Sequence, residues 1–228
     1  MERQNNGTDT KEKKRVFSRS VVYRELNCLY GYPDSRWLEH LNTSYSNLAQ
    51  ALRILGHPIP DELILSSACG FDAADSSAAK KIEAEYVSLF EFDVACSPYE
   101  SSYIDNESSP TARKSVQAFY EEVGLVCSPL HRDLPDHIGL EFEFMHYASY
   151  KQGLELEGGG EDEVQWAEVQ DRFLRTHLKK WIKQFCSCLK ESSSLVFYQN
   201  LAEITERFVL NDASNILNCS MSQDSFLL

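Results

Sequence analysis

The sequence predicts an all-α, single-domain helix bundle, and three observations carry that expectation. Apolar residues recur at helical spacing through nearly every long segment, as they do along one face of a helix. Only 10 glycines and 7 prolines punctuate the 228 residues, too few for the closely spaced turns of a sandwich or barrel. One stretch alternates with period two, Ile138, Leu140, Phe142 and Phe144. It would be a lone strand without a ladder for its amides, so a helix is the consistent expectation there too. The 12 Phe, 11 Tyr and 3 Trp suit a chain long enough to bury a proper core.

Residues 1–15 are polar and are expected to form a disordered tail ahead of a helical domain over 16–212. The first helix carries Val21, Val22, Leu26 and Leu29 and is ended by Gly31 and Pro33. Asp34 is placed to cap a second helix through Trp37, Leu41, Tyr45, Leu48, Leu52 and Leu55, stopped by Gly56 and Pro58. A short helix with Ile64 and Leu65 follows, then another from about Ser77 with Ile82, Tyr86, Leu89 and Phe90. Residues 94–110 lack helical period and read as an ordered loop or broken helix. Ser109-Pro110 then reads as a cap and first helical position for a helix through Val116, Phe119, Tyr120 and Val123.

After a proline-containing loop, Asp133 or Asp136 is expected to cap a helix running to about Gln152. Its apolar residues fall on most sides, which places it at the centre of the bundle. The glycines at 158–160 read as a surface loop. Helical spacing returns over 161–190 through Trp166, Phe173, Leu174, Leu178, Trp181, Ile182 and Phe185, and again from Leu195 to Leu210. A polar C-terminal tail occupies 213–228.

The net charge of −13, with 22 Lys and Arg scattered along the chain, excludes the basic stripe that nucleic acid requires. The acids are clustered. Residues 82–112 hold seven acids and no Lys or Arg, and residues 131–175 hold eleven acids against four bases. Solvated faces explain many of these; a basic partner explains them as well. Seven cysteines without a Cys-x-x-Cys pair fit reduced thiols in a cytoplasm. No apolar run approaches the ~18 residues of a membrane span, so stable membrane insertion is not expected. Lys14-Arg15-Val16-Phe17-Ser18 faintly resembles a twin-arginine export signal, but Arg24 and Glu25 interrupt what would be its apolar region.

Three chemistries fit Asp133-Leu134-Pro135-Asp136-His137 and the helix after it. His137 and Glu141, four apart on one face beside Asp136, are candidates for a metal-dependent hydrolase, although a third ligand would have to come from elsewhere. Alternatively the aspartates only cap the helix while His137 bonds the loop. The third possibility is recognition. Pro135 stiffens the loop, and Asp133 and Asp136 offer carboxylates at its rim to a guanidinium. Tyr99, Glu100, Ser101 and Tyr103 add rings, hydroxyls and an acid, a mixture suited to an arginine-bearing apolar peptide.

Four pieces, in order, resemble the redox-enzyme maturation chaperones of the TorD, DmsD and NarJ type. They are Glu85-Tyr86-Val87-Ser88-Leu89-Phe90; Pro98-Tyr99-Glu100-Ser101-Ser102-Tyr103; Asp133-Leu134-Pro135-Asp136-His137 with Glu141-Phe142-Glu143-Phe144-Met145; and Phe173-Leu174-x-x-His177-Leu178-x-x-Trp181 with Phe197-Tyr198-x-x-Leu201-Ala202. The family pattern often has Glu where this chain has Asp133, which leaves a shorter reach. The wording is nearest to chaperones of DMSO-reductase-like enzymes. The resemblance implies a TorD-like helical bundle, a monomer or homodimer in the cytoplasm, that catalyses nothing and has no cofactor of its own. It would bind the twin-arginine leader and apo-form of a molybdopterin oxidoreductase subunit. Tyr99, Ser101, Tyr103, Asp136 and His137 are implied as the client surface, with Glu100, Asp133, Pro135 and Glu141 beside them. A helical scaffold without leader specificity is a further alternative.

Overall fold

In the computed structural model the described residues are 5–57, 59–60, 63, 76–91, 94–104, 111–127, 133–158 and 164–223, without the side chains of 5–9, 76 and 214–223. Among them the named elements are all helices: α1 (Asn5–Leu29), α2 (Ser35–Leu55), α3 (Ser76–Phe90), α4 (Ser101–Ile104), α5 (Ala112–Glu122), α6 (Ile138–Leu156), α7 (Trp166–Thr176), α8 (Leu178–Ser192) and α9 (Val196–Gln223). The expected Ile64–Leu65 helix, the Ser109-Pro110 cap, Gly159 and Gly160 lie outside the described residues.

Local chemistry sets several helix ends. The Asp34 carboxylate accepts the Trp37 N–H at 2.8 Å, and Gly56 closes α2 in the left-handed region at φ 68°. The start of α9 is capped from another helix. Glu85 of α3 accepts the N–H groups of Ser194 (2.5 Å) and Leu195 (3.3 Å) and the hydroxyls of Ser193 (2.7 Å) and Ser194 (3.1 Å), where a carboxylate also meets the favourable end of the helix dipole.

α6 is the axis of the packing. Ile138, Phe142, Phe144, Met145, Ala148 and Ser149 are all buried, and the helix lies against both α1 and α7. Period-two alternation at 138–144 is thus a helix buried on most sides. Its approach to α1 is close: a Cβ added at Gly153 would stand 2.5 Å from the Phe17 ring. On the far side α8 packs against α9, and Trp181, Ile182, Phe185, Tyr198, Leu201 and Phe208 of these helices are all inaccessible. Burying each such side chain contributes roughly 1.5–3 kcal/mol.

Several boundaries differ from expectation. Helix α1 includes residues 5–15, assigned from the sequence to the tail. Arg15 Nη1 donates to the Leu55 carbonyl at the end of α2 (3.3 Å), and Val16 is buried, so the helix is docked there and propagates outward over polar residues. α9 likewise continues to Gln223. Its Asp212 accepts two N–H groups of Arg19 (2.6 and 2.9 Å) and the Tyr23 hydroxyl (2.7 Å). The run of helical spacing over 161–190 is broken at His177, whose φ of −125° and ψ of −94° separate α7 from α8 without a glycine or proline. Finally, α6 starts at Ile138, and neither Asp133 nor Asp136 caps it. His137 is the cap residue, its Nδ1 accepting the Gly139 N–H at 3.1 Å.

Candidate functional site

The two motif segments, 98–104 and 133–138, meet in one antiparallel bridge. The Glu100 N–H donates to the Asp136 carbonyl (2.9 Å) and the Ile138 N–H to the Pro98 carbonyl (2.8 Å), joining Tyr99 to His137. The rings of Tyr99 and His137 then stand edge to face, 5.2 Å apart. Pro135 is held by its carbonyl, which accepts the Tyr120 hydroxyl of α5 at 3.2 Å.

Asp136 was expected at the rim, available to a guanidinium from outside. Instead its side chain is wholly inaccessible. Oδ2 accepts the N–H of Ser101, the first residue of α4, at 3.1 Å, and Oδ1 accepts Nε of Arg113 at 3.0 Å. The bridge turns the residue inward, so its carboxylate serves α4 and α5 rather than α6.

A second layer lies beneath. His177, at the break between α7 and α8, directs Nδ1 at both Glu100 oxygens, 3.2 and 3.0 Å away, with both residues buried. Glu141 of α6 accepts the Trp181 indole N–H at 3.3 Å through Oε2, while Oε1 meets no donor. Burial, then the charge of nearby Glu100, pushes the Glu141 carboxyl well above the usual range and favours its neutral form. A proton held there has Glu100 as an acceptor. Tyr103 stacks on Trp181, with ring centroids 5.5 Å apart, and its hydroxyl donates to the Ser97 carbonyl at 2.8 Å. Burial raises the Tyr103 phenol, and burial followed by the charges of Asp133 and Asp136 raises that of Tyr99.

The nine residues singled out in the sequence are therefore gathered in one region, but in two layers. Tyr99, Ser101, Tyr103, Asp133, Pro135 and His137 are half-buried and face outward in part, whereas Glu100, Asp136 and Glu141 are sealed. His137 and Glu141 do not converge on a common point: His137 turns its ring to Tyr99 and Gly139, and Glu141 turns to Trp181. Among the described residues no three His, Cys, Asp or Glu side chains are grouped to hold a metal ion. The chemistry offered to solvent is aromatic edges, hydroxyls, the Asp133 carboxylate and, at the margin, Leu134 with 40% exposure.

Sequence reasoning missed Arg113 and His177 as members of this cluster. Arg113 left one signal, being the first base after the acid-only run of 82–112. His177 and Trp181 left only their place in the C-terminal motif.

The helical bundle thus brings its two motif loops together over a buried acid–histidine cluster, with rings and hydroxyls above it. The nitrate reductase delta subunit family model matches residues 37–187, so the chain belongs to that family, the NarJ- and TorD-type maturation chaperones. It is also 26% identical over 206 residues to the perchlorate reductase assembly chaperone protein of Dechloromonas aromatica (strain RCB), covering 84% of this chain and 87% of that protein. No helix among the described residues is long and apolar enough to cross a membrane.

Proposed function

We propose that the protein is a non-enzymatic cytoplasmic chaperone that binds the leader and apo-form of a molybdopterin oxidoreductase subunit and holds it until its cofactor is inserted. The supporting observation is the bridge between the two motifs, which fixes Tyr99, Ser101, Asp133 and His137 on one outward face over buried Glu100, Asp136 and His177. A leader that is basic at its start and apolar after it would meet the Asp133 carboxylate, rings and hydroxyls of this junction first and lay its apolar part along the adjoining helices. The name of the Dechloromonas relative, an assembly chaperone for a reductase, points the same way.

The test is calorimetric titration with a synthetic twin-arginine leader peptide. Micromolar or tighter binding is expected, weakening as salt screens the arginine-to-carboxylate part over a Debye length of ~8 Å at physiological ionic strength. Asp136→Asn should cost about 1.5–3 kcal/mol of binding, a ten- to hundredfold loss. Absence of binding by the wild-type protein removes this site from leader recognition, and full affinity in the Asp136→Asn variant removes this acid from it.

A further inference from the structure

We infer that Arg113 is an internal stand-in for a client arginine: it occupies Asp136 in the empty chaperone and is displaced when the client's guanidinium arrives. This rests on the leader-binding function proposed above. Asp136 is inaccessible and Arg113 is the cation over it, with 47% of its side chain in solvent. An incoming guanidinium therefore reaches the carboxylate only where Arg113 now stands.

The geometry suits exchange. Arg113 bonds Asp136 through Nε alone, to Oδ1. A guanidinium that faces a carboxylate with two parallel N–H groups holds it better than one N–H does. Among the described residues the other donor to Asp136 is the Ser101 N–H, on Oδ2, and each carboxylate oxygen has room for a second donor. Half of the Arg113 side chain is already solvated and it gives the acid a single N–H, so the guanidinium can leave once another cation takes its place. Without a resident cation the empty chaperone would carry an uncompensated buried carboxylate, which is costly. Arg113 thus compensates the buried carboxylate and holds it in place, yet can be released. The rest of the molecule holds a contrasting pair, Arg19–Asp212, in which the arginine is 12% exposed and two N–H groups engage.

Exchange predicts an unusual sign for the arginine's removal. Arg113→Gln takes away a competitor, so a twin-arginine leader peptide should bind the variant roughly three- to tenfold more tightly than wild type. Its affinity should also depend more steeply on salt. In the wild type one ion pair replaces another at Asp136, whereas in the variant a new pair forms from nothing. A peptide with both arginines changed to lysine should gain less. Arg113→Lys, which keeps a cation of weaker geometry near the carboxylate, should also tighten binding, by a smaller factor, and serves if the glutamine variant does not fold, as judged by thermal melting. Weaker or unchanged leader binding in folded Arg113 variants, alongside a loss in Asp136→Asn, overturns the exchange and leaves Arg113 as a residue that orients the acid. Full affinity in Asp136→Asn overturns both the exchange and the leader-binding role of this acid.

Discussion

Apart from the Arg175–Asp171 pair within α7, two arginine–aspartate pairs among the described residues join separate segments of the fold, and these two behave as different devices. Arg19–Asp212 joins α1 to α9, the N- and C-terminal helices. Its arginine is 12% and its aspartate 3% exposed, two guanidinium N–H groups engage, and the Tyr23 hydroxyl adds a third donor. Arg113–Asp136 joins α5 to the bridge between the motifs. There the acid is as buried, but its arginine is 47% exposed and gives one N–H. The acid's burial is thus shared, and the state of the guanidinium separates a staple from a cover. A staple holds helices whose register must not change; a cover can be lifted.

The largest expected effect tests the staple. Asp212→Ala takes away the acceptor of both Arg19 N–H groups and of the Tyr23 hydroxyl in a dry site, and should cost about 3–5 kcal/mol of stability, the range for breaking a buried pair. Removing the half-exposed Arg113 should cost the fold less than that, because it gives Asp136 a single N–H and the acid keeps its Ser101 N–H, while the carboxylate left without its cation keeps the loss above that of a surface pair. Urea unfolding of both variants checks the contrast. Equal losses would break it and make Arg113 a second staple.

The staple also shows what sequence could and could not reveal. Helices built on apolar spacing were legible, including the cap at Asp34, the stop at Gly56 and the central place of α6. Asp212 was not. It lies 193 residues from Arg19, at the last position of the helical domain expected from the sequence, and no local pattern announces so distant a partner. The candidate site divided the same way. Local motifs brought Tyr99, Ser101, Asp136 and His137 together, because each motif is contiguous. Which way each side chain turned depended on the bridge between motifs, and that pairing is long-range. Hence Asp136 turned out to be sealed under Arg113, and His137 rather than an aspartate caps α6. The break at His177 escaped notice for a related reason. Nothing in the helical pattern marks it, and its imidazole is held by Glu100, 77 residues earlier.

A buried acid with no arginine at all sharpens the comparison. Glu141 is inaccessible, and Oε1 lacks a donor. Lacking a cation, it meets its burial by protonation, as its raised pKa indicates. A carboxyl whose folded value lies above the ordinary 4.5 stabilises the fold fully below that ordinary value and loses its contribution as pH rises through the folded one. Glu141→Gln stays uncharged throughout. Over that window the wild type should therefore lose stability relative to the variant by up to ~1.4 kcal/mol per pH unit. Thermal melts of both proteins from acid to neutral pH check it. Parallel curves would mean that Glu141 titrates as in the unfolded chain and that its buried surroundings cost nothing.

The smallest expected effect comes from a pair exposed on both sides. Arg172 Nη2 lies 2.6 Å from Glu122 Oε1, with the side chains 47% and 56% exposed. This arginine is as solvated as Arg113, but its acid is in water too, so neither charge pays a burial penalty for losing the other. Glu122→Gln should change stability by only about 0.2–1 kcal/mol, and less as salt is added. Arg172 has a second contact, its guanidinium 4.5 Å over the Phe119 ring, worth about 0.5–1 kcal/mol at an exposed site. Arg172→Ala should therefore lose more than Glu122→Gln, and the excess should persist in high salt, because ring contact and packing are not screened as the ion pair is. Chemical unfolding of the two variants at low and high salt separates these contributions. A loss at Glu122→Gln as large as that at Asp212→Ala would mean that burial of the two partners is not what sets the strength of these pairs.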